Sequence, residues 1–499
     1  MSAWAALQAC ATAHPQRDIV LLAQDTQLPE AWWPRLCAAR NLDFDAIFPL
    51  TNAMPALDPF NGLQRPEQVN DADACVFMLA EHEPIPARTW LPACCLWRAQ
   101  ALADLPPKLK DGELPPGLQA AALDSLYVVA PAANHDTQPP PAAIDVLRQR
   151  IQALDGRIPT AVGRDARPVM LHVLHGWGGG VQYFVENMMA SSNAFCHIAL
   201  VAHGDSARRR PGEALALHDD LRAAPLALWP LASGIEATAI ASHEYEAALI
   251  RVLRRFRVAQ VMVSSLIGHG LAALRSGLPT SIVCHDYYPL WPHLHVDFGD
   301  ESADFSPQAL DKALHLSEST LPFAETRTSA WHALREDYVA ALLHARATLF
   351  FPNQAVQRNL IRIEPRLASL PSHTIPHGIP AWPVPVAPIE PPVRAGLRVL
   401  VLGRINGGKG EDLLADLIPE LPPGIELILL GAGRAGMRFF GTARVHLRMD
   451  YSRDELPELI RQLAPDLALI PATVAETFSY TLSELWSLGV PVLATRLGS

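Results

Sequence analysis

The sequence predicts an α/β protein built around two consecutive doubly wound domains, preceded by a third α/β segment. Three observations carry this. Short apolar, β-branched runs alternate with longer helical patterns, glycine clusters follow two of those runs, and proline-rich breaks separate the segments.

The runs come in two sets. The first falls at 169–174, 198–201, 260–263 and 281–284; the second at 398–402, 426–430, 467–470 and 490–494. They lack strict polar alternation, which suits parallel strands covered by helices on both faces. Proline marks the boundaries, around Gln138-Pro139-Pro140-Pro141 and again from Pro380 to Pro392. Proline runs favour extended chain and resist helix and sheet. The expected organisation is a segment over 1–137, a linker over 138–167, a domain over 168–380, a proline-rich linker over 381–396 and a domain over 397–499. No solenoid period is evident.

At 499 residues the chain exceeds what one core usually serves. An apolar fraction of 49% and a charged fraction of 18% are those of a globular protein, and no apolar run reaches the roughly 20 residues of a membrane span. Met1 to Arg17 lacks the pattern of a secretory signal, so a cytoplasmic location is expected. Seven cysteines without metal-ligand spacing fit reduced thiols; neither zinc nor disulfides are expected. A net charge of −11 disfavours a nucleic-acid partner but allows a local basic pocket.

The first glycine turn is His175-Gly176-Trp177-Gly178-Gly179-Gly180, leading into a helical pattern over 181–189. Glycines at a strand-to-helix turn let amides approach an anion, and the helix adds its positive end. Taken alone, such a turn serves packing as readily. The second turn is Gly403-Arg404-Ile405-Asn406-Gly407-Gly408-Lys409-Gly410, opening a helix over 411–417. It lacks the Gly-Lys-Ser/Thr end of a Walker loop. Arg404 and Lys409 at one strand end suit two phosphates, against the alternative of a solvated surface pair. The third element is the segment from Glu476 to Glu484. Its glutamates are eight apart, about two helical turns, and suit sugar and ribose hydroxyls; solvated acids on an amphipathic helix are the alternative.

Together, Gly403-Arg404 with Lys409-Gly410, Leu430-Gly431-Ala432-Gly433, the Glu476 to Glu484 segment with Phe478, and Gly489-Val490-Pro491-Val492 resemble the donor half of the retaining glycosyltransferases of family four. Upstream, Gly178-Gly179-Gly180, His285-Asp286 and Ile375-Pro376-His377-Gly378-Ile379 resemble that family's glycine loop, acceptor-lobe histidine motif and lobe-connecting turn. The resemblance covers about 168–499. It implies the GT-B architecture, two Rossmann-like domains facing across a cleft. It also implies transfer of a sugar from a nucleoside diphosphate sugar to a hydroxyl on a glycan, lipid-linked or other acceptor, with retention, in polysaccharide or glycoconjugate synthesis.

Carried over by position, Arg404 and Lys409 bind the diphosphate, Glu484 the ribose and Glu476 the transferred sugar. Backbone at Gly179 and Gly180 faces the phosphates, His285 lies by the reacting sugar, and Gly433, Phe478 and Ser479 complete the donor site. No cofactor or metal is essential to such chemistry, since cations and amides stabilise the leaving diphosphate. Peripheral membrane association is compatible with it. The chain ends where the family continues, so it reads as truncated at its C-terminus.

The first segment resembles the middle and later part of a family-two glycosyltransferase of GT-A type, through Asp18 to Thr26, Trp32-Trp33-Pro34-Arg35-Leu36, Phe48-Pro49-Leu50-Thr51-Asn52 and Cys95-Leu96-Trp97-Arg98-Ala99. Only Asp25 matches that family's metal-binding acids, and Asp111 and Glu113 are poor matches for a catalytic base. A non-catalytic remnant is expected, with a helix-entry aspartate as the alternative role of Asp25. For the whole chain the alternatives are a nucleotide-sugar-binding scaffold, or an epimerase or phosphorylase of similar shape.

Overall fold

The computed structural model describes residues 2–497 apart from 104, 132–138, 164–165, 206–209, 295, 297, 299–303, 317–322, 326 and 383–394. The N-terminal segment contains helices α1 (Ala3–Ala13), α2 (Trp32–Ala38) and α3 (Val69–Leu79). Its strands are β1 (Ile19–Leu22), β2 (Ala46–Thr51), β3 (Pro84–Ala87), β4 (Cys94–Trp97) and β5 (Ala120–Val128). They form one sheet in the order β1-β4-β2-β5-β3, in which only β2 and β5 run parallel. Trp4 anchors α1 by packing on Trp90 and Trp97, with ring centroids 6.5 and 6.3 Å away. Asp111 accepts from the amides of Ala3 and Trp4 at 3.0 and 2.8 Å, so its carboxylate caps α1.

Helix α4 (Ala142–Ala153) lies inside the stretch expected to be a linker, which corrects that expectation. Its proline-rich flank masks a twelve-residue pattern with Ile144, Leu147 and Ile151 on one buried stripe. Arg150 donates to the carbonyl of Leu79 at 2.7 Å, tying α4 to the end of α3. One continuous apolar core runs from Trp4 to Leu370, so the N-terminal segment and the middle lobe pack as one body. Across it, Arg157 holds the buried Asp219 at 2.9 Å.

The middle lobe begins with β6 (Val169–His175), α5 (Gly179–Ser191), β7 (Cys196–Asp205), β8 (Arg210–His218), β9 (Ala227–Ile235) and β10 (Thr238–Ala239). It continues through α6 (His243–Arg255), β11 (Val258–Val263), β12 (His269–Gly270), β13 (Thr280–Val283), α7 (Pro307–Leu316), α8 (Thr328–Ala345), β14 (Thr348–Phe351), α9 (Gln354–Ile363) and β15 (Ser372–Thr374). The main sheet is ordered β15-β14-β13-β11-β6-β7-β8-β9. It is parallel from β15 to β7, and β8 and β9 extend it as an antiparallel hairpin.

The last lobe contains β16 (Leu397–Leu402), α10 (Glu411–Glu420), β17 (Ile425–Leu430), β18 (Val445–Arg448), α11 (Leu456–Leu463), β19 (Leu467–Ile470), α12 (Tyr480–Ser487) and β20 (Val492–Ala494). Its five strands are all parallel, in the order β18-β17-β16-β19-β20. Alternate side chains point to opposite faces. Leu400, Leu402, Ile428 and Leu430 enter one core layer, and Val401, Leu427 and Leu429 enter the other. This explains the uninterrupted apolar runs in the sequence.

Both parallel sheets change direction beside their first strand. In the middle lobe the chain goes from β6 to β7 on one side and to β11 on the other; in the last lobe it goes from β16 to β17 and later to β19. The carboxyl ends of strands at such a switch point form the crevice where open α/β sheets bind ligands.

If α4 is structural and not a spacer, Ile144→Ala should cost about 2–4 kcal/mol in denaturant unfolding. A loss below about 0.5 kcal/mol, the level of an exposed linker position, would contradict this packing.

Candidate functional site

The turn after β6 reaches the switch point of the middle lobe. Gly178 and Gly179 have φ of 76° and 73°, a left-handed region that disfavours any other residue. Helix α5 starts on Gly178 without a side-chain cap and without an acid in its first turn, so its leading amides keep their donors and positive potential. Gly179 and Gly180 are exposed. A Cβ on Gly180 would lie 3.3 Å from the Tyr480 ring of the other lobe, which places this turn against the start of α12.

The turn after β16 meets the same end of α12, where a Cβ on Gly403 would lie 3.5 Å from Thr481 Oγ1. Asn406 accepts from the amide of Lys409 at 3.0 Å, and Thr473 binds the carbonyls of Gly407 and Gly408 at 3.0 Å each, closing the turn onto the loop after β19. Gly410 has φ of 84°, and a Cβ there would come within 2.0 Å of the Pro471 carbonyl oxygen, so only glycine fits. Arg404 is exposed and has neither an ion pair nor a side-chain hydrogen bond among the described residues. A Cβ on Gly433 would lie 3.8 Å from Arg404 Cγ, so the Gly431 to Gly433 turn flanks that cation.

The acidic segment does not place both glutamates on one helix. Glu476 lies in the loop before α12 and pairs with Lys409; Glu484 lies within α12 and pairs with Arg453 Nε at 2.8 Å. Each expected ligand-binding acid is therefore held by a cation. Ser479 spends its oxygen as the α12 cap, accepting from the Leu482 amide at 3.3 Å. Phe478 packs on His377 at 4.8 Å and on Tyr480 at 5.0 Å.

Between the lobes stands an aromatic cluster. The His285 ring meets Phe184 and His377, each at 5.0 Å, and Tyr183 meets Tyr480 edge-on at 4.8 Å. Nε2 of His285 and Nε2 of His377 are buried without a hydrogen-bond partner. Burial pushes His377 down to about 4, and burial together with His377 and His175 pushes His285 well below the ordinary imidazole range. Both rings are neutral at physiological pH and can donate or accept one hydrogen bond to a sugar hydroxyl. Asp286, at the same strand end, is pushed up to about 6 by burial, against the lowering effect of the Tyr288 amide.

Several participants carry no signal in the sequence. Thr477 donates to the His285 carbonyl at 2.6 Å and accepts from the Asn353 amide at 2.6 Å, bridging the lobes. Arg453 also donates to the Pro380 carbonyl at 2.9 Å and lies 4.1 Å above the Trp382 ring. A Ser452-to-Glu455 capping box is readable locally, but not the pairing of Arg453 across 31 residues.

Asp25 stands apart. It is exposed in the turn after β1 with φ of 65°, a conformation aspartate tolerates in tight turns. Among the described residues no three His, Cys, Asp or Glu side chains group closely enough to hold a metal, and no helix is long and apolar enough to cross a membrane.

No protein-family model and no curated protein matches the chain. Among solved structures it is similar to HepE of Anabaena in complex with UDP-glucose, at 19% identity over 66% of this chain and 81% of that one, with a TM-score of 0.37. It is likewise similar to a glycosyltransferase from Rickettsia africae at 11% identity, over 67% and 80% of the two chains, with a TM-score of 0.37. A further likeness is to apo OtsA, at 11% identity over 67% and 85%, with a TM-score of 0.35.

The Arg453–Glu484 pair yields a pH-dependent expectation. Burial raises the Glu484 carboxyl and the Arg453 hydrogen bond and charge oppose that rise, so Arg453→Met should raise it further. A carboxyl raised on folding binds its extra proton in the folded state, so stability falls as pH rises through the window between unfolded and folded pKa. With the Arg453 side chain 21% exposed, the variant should lose about 2 kcal/mol near pH 8 and distinctly less near pH 5 in urea unfolding. Equal losses at both pH values would mean that the carboxylate is not the group left stranded.

Proposed function

We propose that the chain is a GT-B glycosyltransferase that moves a sugar from a nucleoside diphosphate sugar to a hydroxyl acceptor. One observation carries this reading. Two glycine turns, each at the switch point of its own parallel sheet, both meet the start of α12, one bringing a helix N-terminus without a side-chain cap and the other Arg404 and Lys409. That arrangement suits a diphosphate, whose charge grows as the sugar leaves.

The roles then distribute by place. The amides of Gly179 and Gly180 and the side chains of Arg404 and Lys409 take the phosphates. Gly433 lets the donor lie close to the backbone, and Phe478 with the neutral His285 and His377 walls the sugar. Glu476 accepts from the sugar hydroxyls and Glu484 from the ribose, with Arg453 holding the latter acid in place. Ser479 acts through the helix it caps. The donor thus meets both lobes, and closure excludes water from the anomeric carbon.

The acceptor side belongs to the middle lobe, where a cavity of about 590 Å³ is lined by Thr238 and Trp331. The Thr238 hydroxyl meets the Tyr288 hydroxyl at 2.6 Å, linking that cavity to the strand end that carries His285. Membership of family four, retention and a part in polysaccharide or glycoconjugate synthesis rest on the motif resemblance. A cytoplasmic location, without a metal or cofactor in the chemistry, accords with them. The N-terminal segment is read as non-catalytic, because Asp111 caps α1 and Asp25 occupies an isolated turn.

Calorimetric titration with UDP and GDP tests the donor site. Arg404→Ala should weaken the preferred diphosphate roughly ten- to hundredfold, the loss of one charge-assisted contact worth about 1.5–3 kcal/mol, with unfolding unchanged. Binding of neither diphosphate, or unchanged affinity in both Arg404→Ala and Lys409→Met, would remove the assignment.

A further inference from the structure

We infer that Lys409 and Glu476 form an exchange pair that makes the site prefer an intact sugar donor over the nucleoside diphosphate left after transfer. This rests on the donor-site reading above and adds a selectivity that the reading does not contain.

The two side chains hold each other directly, and both backbones are fixed independently of that contact. The Lys409 amide is bound by Asn406, and its turn is clasped by Thr473. Glu476 precedes Thr477, which is tied to His285 and Asn353 of the other lobe. The pair can therefore part through side-chain rotation alone. Lys409 is 41% exposed and reaches solvent easily, whereas Glu476 is only 15% exposed and depends on protein or ligand donors for its hydrogen bonds.

Two anions contend for this ammonium. A diphosphate drawing on Lys409 takes charge away from Glu476 and sets a second negative group beside it, which is unfavourable in a partly dry cleft. An intact donor answers this by presenting sugar hydroxyls, which donate to the carboxylate as the ammonium turns to phosphate. A free diphosphate has no such hydroxyls at that position. After transfer the carboxylate regains its claim on Lys409 and the diphosphate is held less tightly, which favours product release. Among the described residues Arg404 has no carboxylate partner, so it is not subject to this competition. Its contribution should be the same for donor and diphosphate.

Titration of the full chain with UDP, GDP and a panel of their hexose esters tests the exchange. Glu476→Gln keeps the shape and removes the charge. It should tighten the preferred free diphosphate by about three- to tenfold and shrink or abolish the preference for the intact donor. Glu476→Ala should give the same gain, which keeps the test open if one variant folds poorly. In a Lys409→Met background, Glu476→Gln should give no comparable gain, because the contested charge is gone. If Glu476→Gln leaves the free diphosphate unchanged or weaker while Lys409→Met weakens it, the exchange is wrong and the donor site stands. If neither Lys409→Met nor Arg404→Ala affects diphosphate binding, the donor site itself fails.

Discussion

Thr477 gives its hydroxyl to the carbonyl of His285 and its own carbonyl to the amide of Asn353, and these two hydrogen bonds tie the acidic segment of one lobe to the other. The rest of the site depends on that bridge. It fixes Glu476 beside Lys409, brings Phe478 onto His377, and starts α12 so that Tyr480 lies against Gly180 and Tyr183. The acceptors are backbone carbonyls and the donors are the Thr477 hydroxyl and the Asn353 side-chain amide, so the register between lobes depends on those two side chains. The fixed elements carry the charges that matter: a helix end without a side-chain cap on one side, and on the other two ion pairs and Arg404, which has no ion pair among the described residues.

The sheet architecture was legible because burial on both faces leaves a plain signature. The runs at 398–402 and 426–430 are apolar throughout, since β16 and β17 feed two core layers. Glycine turns were legible for a similar reason: Gly178, Gly179, Gly403 and Gly410 occupy positive φ in the turns between β6 and α5 and between β16 and α10. Both are local properties, written in consecutive residues.

What stayed hidden is non-local. The hairpin β8–β9 extends a parallel sheet in antiparallel fashion, and nothing in 210–218 states which edge it will join. Helix α4 was obscured by the prolines beside it, although Ile144, Leu147 and Ile151 hold a regular stripe. The partners of Glu476 and Glu484 lie 67 and 31 residues away. The two carboxylates share one sequence segment, but the cations that hold them, and the neutral state of His285 and His377, follow from burial that no sequence pattern encodes. The N-terminal segment shows the same limit from the other direction. Its motifs resemble a separate module, yet its core is continuous with that of the middle lobe.

Diffraction from crystals grown with UDP or GDP bears most directly on the central claim, that both glycine turns serve one diphosphate. The account predicts phosphate oxygens within hydrogen-bond reach, about 2.7–3.2 Å, of the Arg404 guanidinium and of the Gly179 or Gly180 amide at once. An ordered nucleotide whose phosphates touch only one lobe, or lie away from Arg404, would contradict it.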